Sequence, residues 1–391
     1  MSRNNVIALL WGESSLKISS ILYGSVITAY LLQEGLTNYQ IGILWSIVLF
    51  SQMIFDYPTG GFADKYGRLK IFTIGMLFMG LSLFMMISEN IFLLYSGAII
   101  LGVGESQVSG TLFPWFIHTL DEKGLSELER KESIMKVNAQ TQYTTNFLGI
   151  FIGFLIAPFD LKYKTILMIA GCLYILNGVF IYSFFKDNRS EERDLLKIGK
   201  KSIGIFWKEH KLWVYTLAMT LHYIFYSIYL FIWQPRANSL GILESKLGFV
   251  QSLFLIGMAV SGFIVKHINI RTYFVYFLAS ILVPISLVYI YDSSNLKAYL
   301  SFMFILSLSN GFIIPLIFGS MHFFIPDDVR SSVVSLINSL SSIFLVFFQV
   351  VIGRILDKHN FGYLSFFCFP VGMLYILCIY FIYTWRIRNE K

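Results

Sequence analysis

A few ionisable side chains interrupt the long apolar stretches of this sequence, and they are the residues best suited to chemistry. Glu13 and Lys17 stand four positions apart, so a helix places them on one face where they can pair. Glu105, His222 and Asn310 each lie near the middle of a different apolar stretch. An ionisable group at the centre of a bilayer costs roughly 2.5 to 3.5 kcal/mol and persists mainly where it lines a cavity. These residues are therefore predicted to line a polar pathway for a substrate or for protons.

Each of these predictions has a simpler alternative. Glu13 and Lys17 can form a purely structural ion pair, and Glu105 can likewise pair with Lys17. His222 can be a packing histidine whose hydrogen bonds are satisfied inside the protein. Asn146, in another apolar stretch, adds a polar amide and joins the predicted pathway.

Other kinds of site find no support in the sequence. Cys172, Cys368 and Cys378 lie singly in apolar stretches, without the spacing of a metal site or of a disulfide framework. There is no nucleophile–base arrangement and no glycine-rich phosphate loop between a strand and a helix. The basic residues form no stripe with interleaved aromatic residues, so nucleic acid is not expected as a partner. Neither enzyme activity nor a cofactor or metal is expected.

The composition shows which elements must position the polar residues. Hydrophobic residues make up 56% of the 391 positions and charged residues only 14%, whereas a soluble domain carries about 25% charged residues. Lipid must therefore be the solvent, and each helix needs about 20 apolar residues to cross it. The predicted fold class is an all-α integral membrane protein. Its twelve predicted spans lie at residues 6–32, 40–63, 70–88, 91–117, 137–158, 165–185, 212–233, 247–265, 273–291, 298–321, 331–353 and 363–385.

The positive charges predict how the spans are oriented. With the N-terminus inside, the inner segments hold 22 Lys and Arg residues and the outer segments hold seven. Cytoplasmic loops retain positive charge, so both termini are predicted to be cytoplasmic. The first span is not expected to be a cleavable signal peptide, because Glu13 and Lys17 interrupt it and no small-residue cleavage site follows.

The longest polar stretch divides the spans into two sets of six. The predicted domains are an N-terminal six-helix bundle at 1–186, a cytoplasmic linker at 187–211 and a C-terminal six-helix bundle at 212–391. The linker ends in the amphipathic sequence Ile-Gly-Ile-Phe-Trp-Lys-Glu-His-Lys-Leu-Trp. This segment either lies along the inner membrane surface or is a solvated connector.

The two halves of the sequence also resemble each other at matching positions. Gln-Ile-Gly at 40–42 recurs as Lys-Leu-Gly at 246–248, and Ile-Gly at 152–153 recurs at 352–353. Many transporter folds are built from such repeats around a site at the membrane midplane. Spans 1, 4, 7 and 10 hold the costly polar groups at mid-depth, whereas spans 3, 6, 9 and 12 are almost wholly apolar, as expected of helices that face lipid.

The most specific motif follows the second span. Asp56-Tyr-Pro-Thr-Gly60 runs into Gly61-Phe-Ala-Asp64-Lys65-Tyr-Gly67-Arg68-Leu-Lys70. The latter segment resembles the G-x-x-x-D-[RK]-x-G-R-x-[RK] signature of the major facilitator superfamily. The former resembles the acidic-x-Pro-Thr-Gly lead-in of a branch rich in bacterial efflux proteins. The resemblance implies twelve helices in two pseudo-symmetric six-helix bundles, with helices 1, 4, 7 and 10 around a central cavity.

The same motif predicts a conformational latch. Gly60 permits close helix approach, Gly67 permits a tight turn, and Asp64 with Arg68 can bind groups across the cytoplasmic face. Asp64 would be favoured beside the start of the eleventh span, near Arg330, by about 0.3 to 1 kcal/mol. The alternative is a plain basic turn that satisfies the positive-inside rule.

The resemblance and the polar residues together imply a function. The chain is expected to be a monomeric secondary transporter in the cell membrane, the inner membrane of a bacterium, whose halves rock about a small-molecule substrate. The efflux branch implies proton-coupled export of drugs or amphiphilic small molecules, with Glu105 or Glu13 carrying the proton. Two antiporter signatures are missing, since Ala98 stands at the usual arginine position and the fifth span lacks a Gly-Pro pair.

Two alternative functions follow from the same residues. Proton-coupled or facilitative uptake of a small polar or anionic solute would use Lys17 or His222 as the substrate anchor. A membrane sensor or scaffold on the same fold is the other alternative, and the absence of an added soluble domain from the sequence disfavours it.

Overall fold

The computed structural model describes residues 3–109, 111, 112, 115, 116, 137, 141, 144–155, 159, 161–187, 195–267, 273–326, 330–358 and 361–389. Within these ranges the secondary structure is helical and contains no β-strand. The first seven helices are α1 (Arg3–Gly24), α2 (Ile27–Gln33), α3 (Asn38–Tyr66), α4 (Arg68–Met86), α5 (Ile91–Val108), α6 (Thr144–Leu155) and α7 (Tyr163–Phe184). The others are α8 (Leu195–Lys208), α9 (His210–Ser239), α10 (Leu247–His267), α11 (Tyr273–Asp292), α12 (Leu296–Met321), α13 (Arg330–Asp357) and α14 (Phe361–Asn389).

The described residues contain 11 helical segments that are long and apolar enough to cross a membrane. They correspond to all the predicted spans except the fifth, where α6 is apolar but shorter. The all-helical, multi-pass membrane fold predicted from composition is therefore confirmed. The full count of twelve crossings stays a prediction, because parts of the fifth span lie outside the described residues.

Two spans differ from their predicted form. The first is not one continuous helix, since α1 ends at Gly24 and α2 begins at Ile27. The fourth, predicted at 91–117, is not one continuous helix either: α5 ends at Val108, the backbone of Ser109 leaves helical geometry with ψ 127°, and Leu112, Trp115 and Phe116 are helical again. At its other end, α5 begins after Asn90, whose side-chain oxygen accepts a hydrogen bond from the Phe92 N–H at 2.9 Å and caps the helix.

The chain forms two compact units, and both include parts of each half of the sequence. The first comprises residues 1–30, 47–193 and 244–252, and the second comprises 31–46, 194–243 and 253–391. The first unit therefore contains the beginning of α10, whose remainder belongs to the second unit. The second unit contains the beginning of α3, whose remainder belongs to the first.

In the first unit, α4 packs against both α5 and α7, and α1 packs along α7. Glycines allow the helix backbones to approach closely at these crossings. A Cβ at Gly75 would lie 2.8 Å from the Gly104 carbonyl oxygen, and one at Gly80 would lie 2.7 Å from the Gly171 carbonyl oxygen. Small residues are what allow helices to approach closely in lipid, where there is no hydrophobic force to press them together.

In the second unit, α9 packs against α13 and α14, and α11 packs against α12 and α14. The beginning of α3 joins this unit by a close crossing with the end of α13. A Cβ at Gly42 would overlap the Gln349 carbonyl, and one at Gly353 would overlap the Asn38 carbonyl. The Ser46 hydroxyl also donates to the Val346 carbonyl at 2.5 Å.

The first unit contains an equivalent crossing between α6 and the beginning of α10. A Cβ at Gly153 would overlap the Gly248 carbonyl, and the Ser252 hydroxyl donates to the Ile150 carbonyl at 3.0 Å. The four glycines at the two crossings, Gly42, Gly153, Gly248 and Gly353, are those that match between the two halves of the sequence. The repeated positions are therefore positions of close helix contact.

Candidate functional site

A small polar cluster surrounds Glu105 inside the first unit. The Tyr23 hydroxyl of α1 donates a hydrogen bond to a carboxylate oxygen of Glu105, on α5, at 3.4 Å. The Tyr23 ring lies 6.3 Å from that of Tyr174, whose hydroxyl is 2.8 Å from the Ser20 hydroxyl. Three helices, α1, α5 and α7, thus supply the polar groups of this cluster, which we call the Glu105 cluster (Ser20, Tyr23, Glu105 and Tyr174).

The Glu105 cluster includes residues that sequence reasoning missed. Tyr23 and Ser20 stand three positions apart on α1, which brings them to one face of the helix. That spacing was a usable signal, but mid-span tyrosines and serines are common and cost far less in lipid than an acid does. The observed hydrogen-bond partner of Glu105 is Tyr23 and not Lys17, the partner that the structural alternative assumed.

A second carboxylate lies near the cluster. Asp56, on α3, accepts a hydrogen bond from the Ser109 hydroxyl at 2.9 Å and is close enough to Glu105 for an electrostatic interaction. It belongs to the Asp-Tyr-Pro-Thr-Gly segment and was not among the predicted pathway residues. Both carboxylates thus have a hydroxyl neighbour, but the hydrogen bond between Asp56 and Ser109 is exposed and Asp56 itself is only half-buried.

Glu13 and Lys17 lie on α1, as predicted, and interact electrostatically with each other. Both side chains are half-buried. This arrangement is compatible with a structural ion pair, in which each charge lowers the cost of burying the other. It is equally compatible with a functional pair that separates when a substrate or a proton binds.

The other three predicted pathway residues lie on α6, α9 and α12. In the second unit His222, on α9, is buried, and its Nδ1 lies 2.8 Å from the Tyr375 hydroxyl of α14. Asn310 is buried in α12 of the same unit, whereas the Asn146 side chain is exposed on α6 of the first unit. The hydrogen bond of His222 has the geometry of the packing alternative.

The predicted latch residues occupy the end of α3 and the turn that follows it. Gly60 and Asp64 lie in the last two turns of α3, and Arg330 begins α13, but the side chains of Asp64 and Arg330 are outside the described residues. Gly67 has φ +112°, a conformation that glycine adopts without strain. Arg68 follows it with a buried side chain.

An acid from the predicted linker completes this turn. Asp187 accepts hydrogen bonds from the backbone N–H groups of Leu69, at 2.8 Å, and Lys70, at 3.1 Å. These N–H groups lie in the first turn of α4 and have no acceptor within the helix. The Asp187 carboxylate therefore caps α4, and its negative charge interacts favourably with the positive end of the helix dipole. A Cβ at Gly67 would overlap the Asp187 carboxylate, which is a further reason for glycine at this position.

Two more carboxylates cap helices at the crossings of the repeated glycines. Asp357, at the end of α13, accepts hydrogen bonds from the Asn38 and Tyr39 backbone N–H groups at 2.8 and 3.0 Å. The Arg354 guanidinium lies 4.8 Å from the centre of the Tyr39 ring. In the first unit, Glu244 accepts a hydrogen bond from the Tyr163 N–H, at the start of α7, at 3.2 Å.

One family model, described as Major Facilitator Superfamily, matches residues 15–344. The chain belongs to the major facilitator superfamily. This is a family of transporters and not of enzymes, which agrees with the absence of enzyme signatures from the sequence.

Two curated relatives come from Bacillus subtilis strain 168. The uncharacterized MFS-type transporter YxaM is 25% identical over 240 residues, which cover 59% of this chain and 58% of YxaM. The uncharacterized transporter YybO is 23% identical over 222 residues, which cover 51% of this chain and 46% of YybO. The chain thus matches about half the length of these relatives.

Solved structures share the fold at low sequence identity. The nucleoside transporter NupG has a TM-score of 0.70 at 12% identity, with 98% of this chain and 99% of that one covered. The D-xylose-proton symporter has a TM-score of 0.69 at 12% identity, covering 97% and 96%. The POT family transporter PepTSo has a TM-score of 0.73 at 11% identity, covering 100% and 98%. At such identities the likeness is one of fold alone.

Proposed function

We propose that this protein is a secondary transporter that exports drugs or amphiphilic small molecules in exchange for protons by alternating access. The Glu105 cluster carries the proposal. It holds an acid inside an apolar helical unit, where a charge is costly, and gives it a hydroxyl partner at 3.4 Å. An acid in such a place is suited to alternate between a charged and a protonated form as water gains and loses access to it.

The glycine crossings support the alternating movement. Asp357 and the Gly42–Gly353 pair hold α3 against α13, while the Gly153–Gly248 pair and Glu244 link α6 and α7 to α10. Both crossings join the first half of the sequence to the second, at the ends of helices that the positive charges predict to lie outside. In the proposed cycle they open and close together as a gate on the outer face.

The motif at Asp64 is proposed to control the opposite, cytoplasmic end. Asp187 holds the turn after α3 in place by capping α4, with Gly67 and Arg68 packed beside it. In the proposed cycle Gly60, Asp64 and Arg330 complete this latch when the cytoplasmic side is closed. The predicted domains, 1–186 and 212–391, are the halves that move, and the chain works as a monomer in a bacterial inner membrane with both termini in the cytoplasm.

Uptake of a small polar or anionic solute is the second candidate, and the Glu13–Lys17 pair favours it. Lys17 is half-buried on α1 and can hold an anionic or hydroxylated substrate while Glu13 takes the proton. Three solved structures of the same fold carry the names of a nucleoside transporter, a D-xylose-proton symporter and a POT family peptide transporter. Their names define which solutes a screen should include.

Transport in proteoliposomes under an imposed pH gradient tests the proposal. Lipophilic cationic dyes form one panel, and nucleosides, pentoses and dipeptides form the other. Export predicts that a dye moves against the proton flow and that expression gives cells resistance to it. Movement of only a polar solute, along with protons, would replace export by uptake, and no movement of any solute by a folded protein would contradict both functions.

A further inference from the structure

We propose that the second unit binds one anionic phospholipid, with an acyl chain in an apolar groove between α13 and α14 and the headgroup on lysines of α8. The groove is independent of the proposed transport site. It has a volume of about 660 Å³ and is lined by apolar side chains such as Phe206, Leu340, Phe344 and Leu374. Its origin is simple: α13 and α14 both pack on α9, which leaves a furrow between them with α9 as the floor.

The polar atoms of the groove floor are already bonded within the protein. The Thr216 hydroxyl donates to the Leu212 carbonyl at 2.8 Å, and the Thr220 hydroxyl lies 2.8 Å from the Thr216 carbonyl and 3.1 Å from the Ser341 hydroxyl. The two threonines therefore offer hydrocarbon rather than hydrogen bonds to whatever fills the groove. A chain of methylene groups fits that surface, and a polar solute does not.

The amphipathic helix α8 places the groove at the membrane interface. Phe206 and Ser202 are buried where α8 packs against α9 and α13, while Trp207 is 60% exposed at the mouth of the groove. The Trp207 and Trp213 rings form an edge-to-face contact with their centroids 5.1 Å apart. The Trp213 indole N–H donates a hydrogen bond to the Phe206 carbonyl at 3.0 Å. Tryptophans fixed at one level of a membrane protein are typical of the headgroup region.

Positive charge lies on the helix that carries Trp207. Lys200 and Lys208 are exposed on α8. The nearby Glu209 carboxylate caps α9 by accepting a hydrogen bond from the Lys211 N–H at 3.4 Å. Lys200 precedes Trp207 by two helical turns and so lies on the same side of α8. A phosphate at the interface can reach these ammonium groups while its acyl chain enters the groove below Trp207.

The lysines and the groove together specify the ligand. A neutral phospholipid brings no net negative charge to Lys200 and Lys208, and a water-soluble anion would leave the groove unfilled. An anionic phospholipid such as phosphatidylglycerol satisfies both. The positive charges of the whole chain predict the cytoplasmic leaflet for α8, which is the leaflet where polybasic segments find anionic lipid.

The test titrates the detergent-purified full chain with dioleoyl phosphatidylglycerol, dioleoyl phosphatidylcholine or glycerol phosphate and follows the midpoint of thermal unfolding. Phosphatidylglycerol should raise the midpoint, because a ligand of the folded state stabilises it, and the other two should not. The K200Q/K208Q variant should need roughly 25-fold more phosphatidylglycerol for half the effect, from about fivefold for each lysine near the surface. The control K297Q/K358Q, two exposed lysines elsewhere, should behave as the wild type.

A second pair of variants tests the groove itself. Leu374→Trp fills it and should abolish the phosphatidylglycerol effect, whereas Leu377→Trp, at an exposed position on the same helix outside the groove, should retain it. If Leu374→Trp does not fold, Val371→Phe serves the same purpose. The proposal is overturned if phosphatidylcholine or glycerol phosphate stabilises as well as phosphatidylglycerol. It is also overturned if the groove-filling variants respond like the wild type, or if a second copy of the chain occupies the groove, seen as a dimer that Leu374→Trp dissociates.

Discussion

Asp357 accepts two hydrogen bonds from Asn38, one from its backbone N–H at 2.8 Å and one from its side-chain amide at 3.0 Å. The two residues are separated by 319 positions in the sequence, yet the carboxylate of one caps the helix that begins at the other. A charged acceptor at a helix N-terminus combines charge-assisted hydrogen bonds with a favourable dipole interaction. The proposed outer gate is therefore held by a carboxylate as well as by glycine packing.

Replacing this carboxylate should loosen the contact. Asp357→Asn removes the charge at nearly constant size and is expected to lower the free energy of unfolding by about 1 to 2 kcal/mol. Thermal or chemical unfolding of the purified protein measures the change. Asp292→Asn, at the exposed end of α11, is the matched control and should have little effect. If both variants lower the free energy of unfolding by the same amount, the capping interaction of Asp357 does not stabilise the protein.

The crossing of α3 with α13 should not tolerate a larger side chain at Gly42. Gly42→Val would push a side chain into the Gln349 backbone, and overpacking of this kind costs about 1 to 3 kcal/mol. If the crossing is part of a gate, the variant should also open it, and a cysteine placed at Ser46 should react faster with a water-soluble maleimide. Gly262→Val, where a Cβ meets open space, is the control. Unchanged reactivity at position 46 would argue against the gate.

The turn at Gly67 should depend on glycine for two separable reasons. Gly67→Ala forces alanine into φ +112° and against the Asp187 carboxylate. Gly35→Ala imposes a similar strain at φ +90° but in open space. We expect a cost of about 1 to 2 kcal/mol for the strain alone and a larger cost at Gly67, measured by thermal unfolding. If the two variants lose the same stability, the contact with Asp187 has no energetic role.

Glu105 should be required for the proposed coupling to protons. Glu105→Gln keeps the shape and the hydrogen-bond acceptor for Tyr23 but cannot exchange a proton at physiological pH. We expect pH-gradient-driven flux in proteoliposomes to be abolished, while downhill exchange of substrate across the membrane continues. Glu89→Gln is the control, since Glu89 is exposed and lies 3.9 Å from Lys164. Unchanged gradient-driven flux in Glu105→Gln would remove this residue from the coupling role.

His222 is expected to act in packing. Tyr375→Phe removes the hydroxyl that lies 2.8 Å from the His222 ring nitrogen and should lower stability by about 1 kcal/mol, with transport retained. Unfolding and flux are measured on the same preparation. Tyr363→Phe, at an exposed position on the same helix, is the control for stability. A loss of flux at unchanged stability would instead place His222 in the substrate pathway.

Much of the fold could be predicted from the sequence because its cause is local. Lipid as solvent requires long apolar helices, and the described part of the chain shows 11 of them where the spans were predicted. The glycines that match between the two halves also marked positions that became helix crossings. The break at Ser109, between α5 and the helical residues that follow it, could not be predicted because hydropathy continues through it.

The candidate site was less predictable, since its groups meet only after the helices have packed. The cost of an acid in lipid singled out Glu105, but nothing in its neighbourhood along the chain pointed to Tyr23 and Tyr174 as its companions. Asp187 and Asp357 look like ordinary surface acids in the sequence, and their roles depend on backbone N–H groups 118 and 319 positions away. Hydropathy and charge act residue by residue and so determine the class of protein, its spans and its polar positions. Capping carboxylates, the hydrogen bond between His222 and Tyr375 and the groove beside α8 arise from surfaces of different helices, and only the tertiary structure decides which of those surfaces meet.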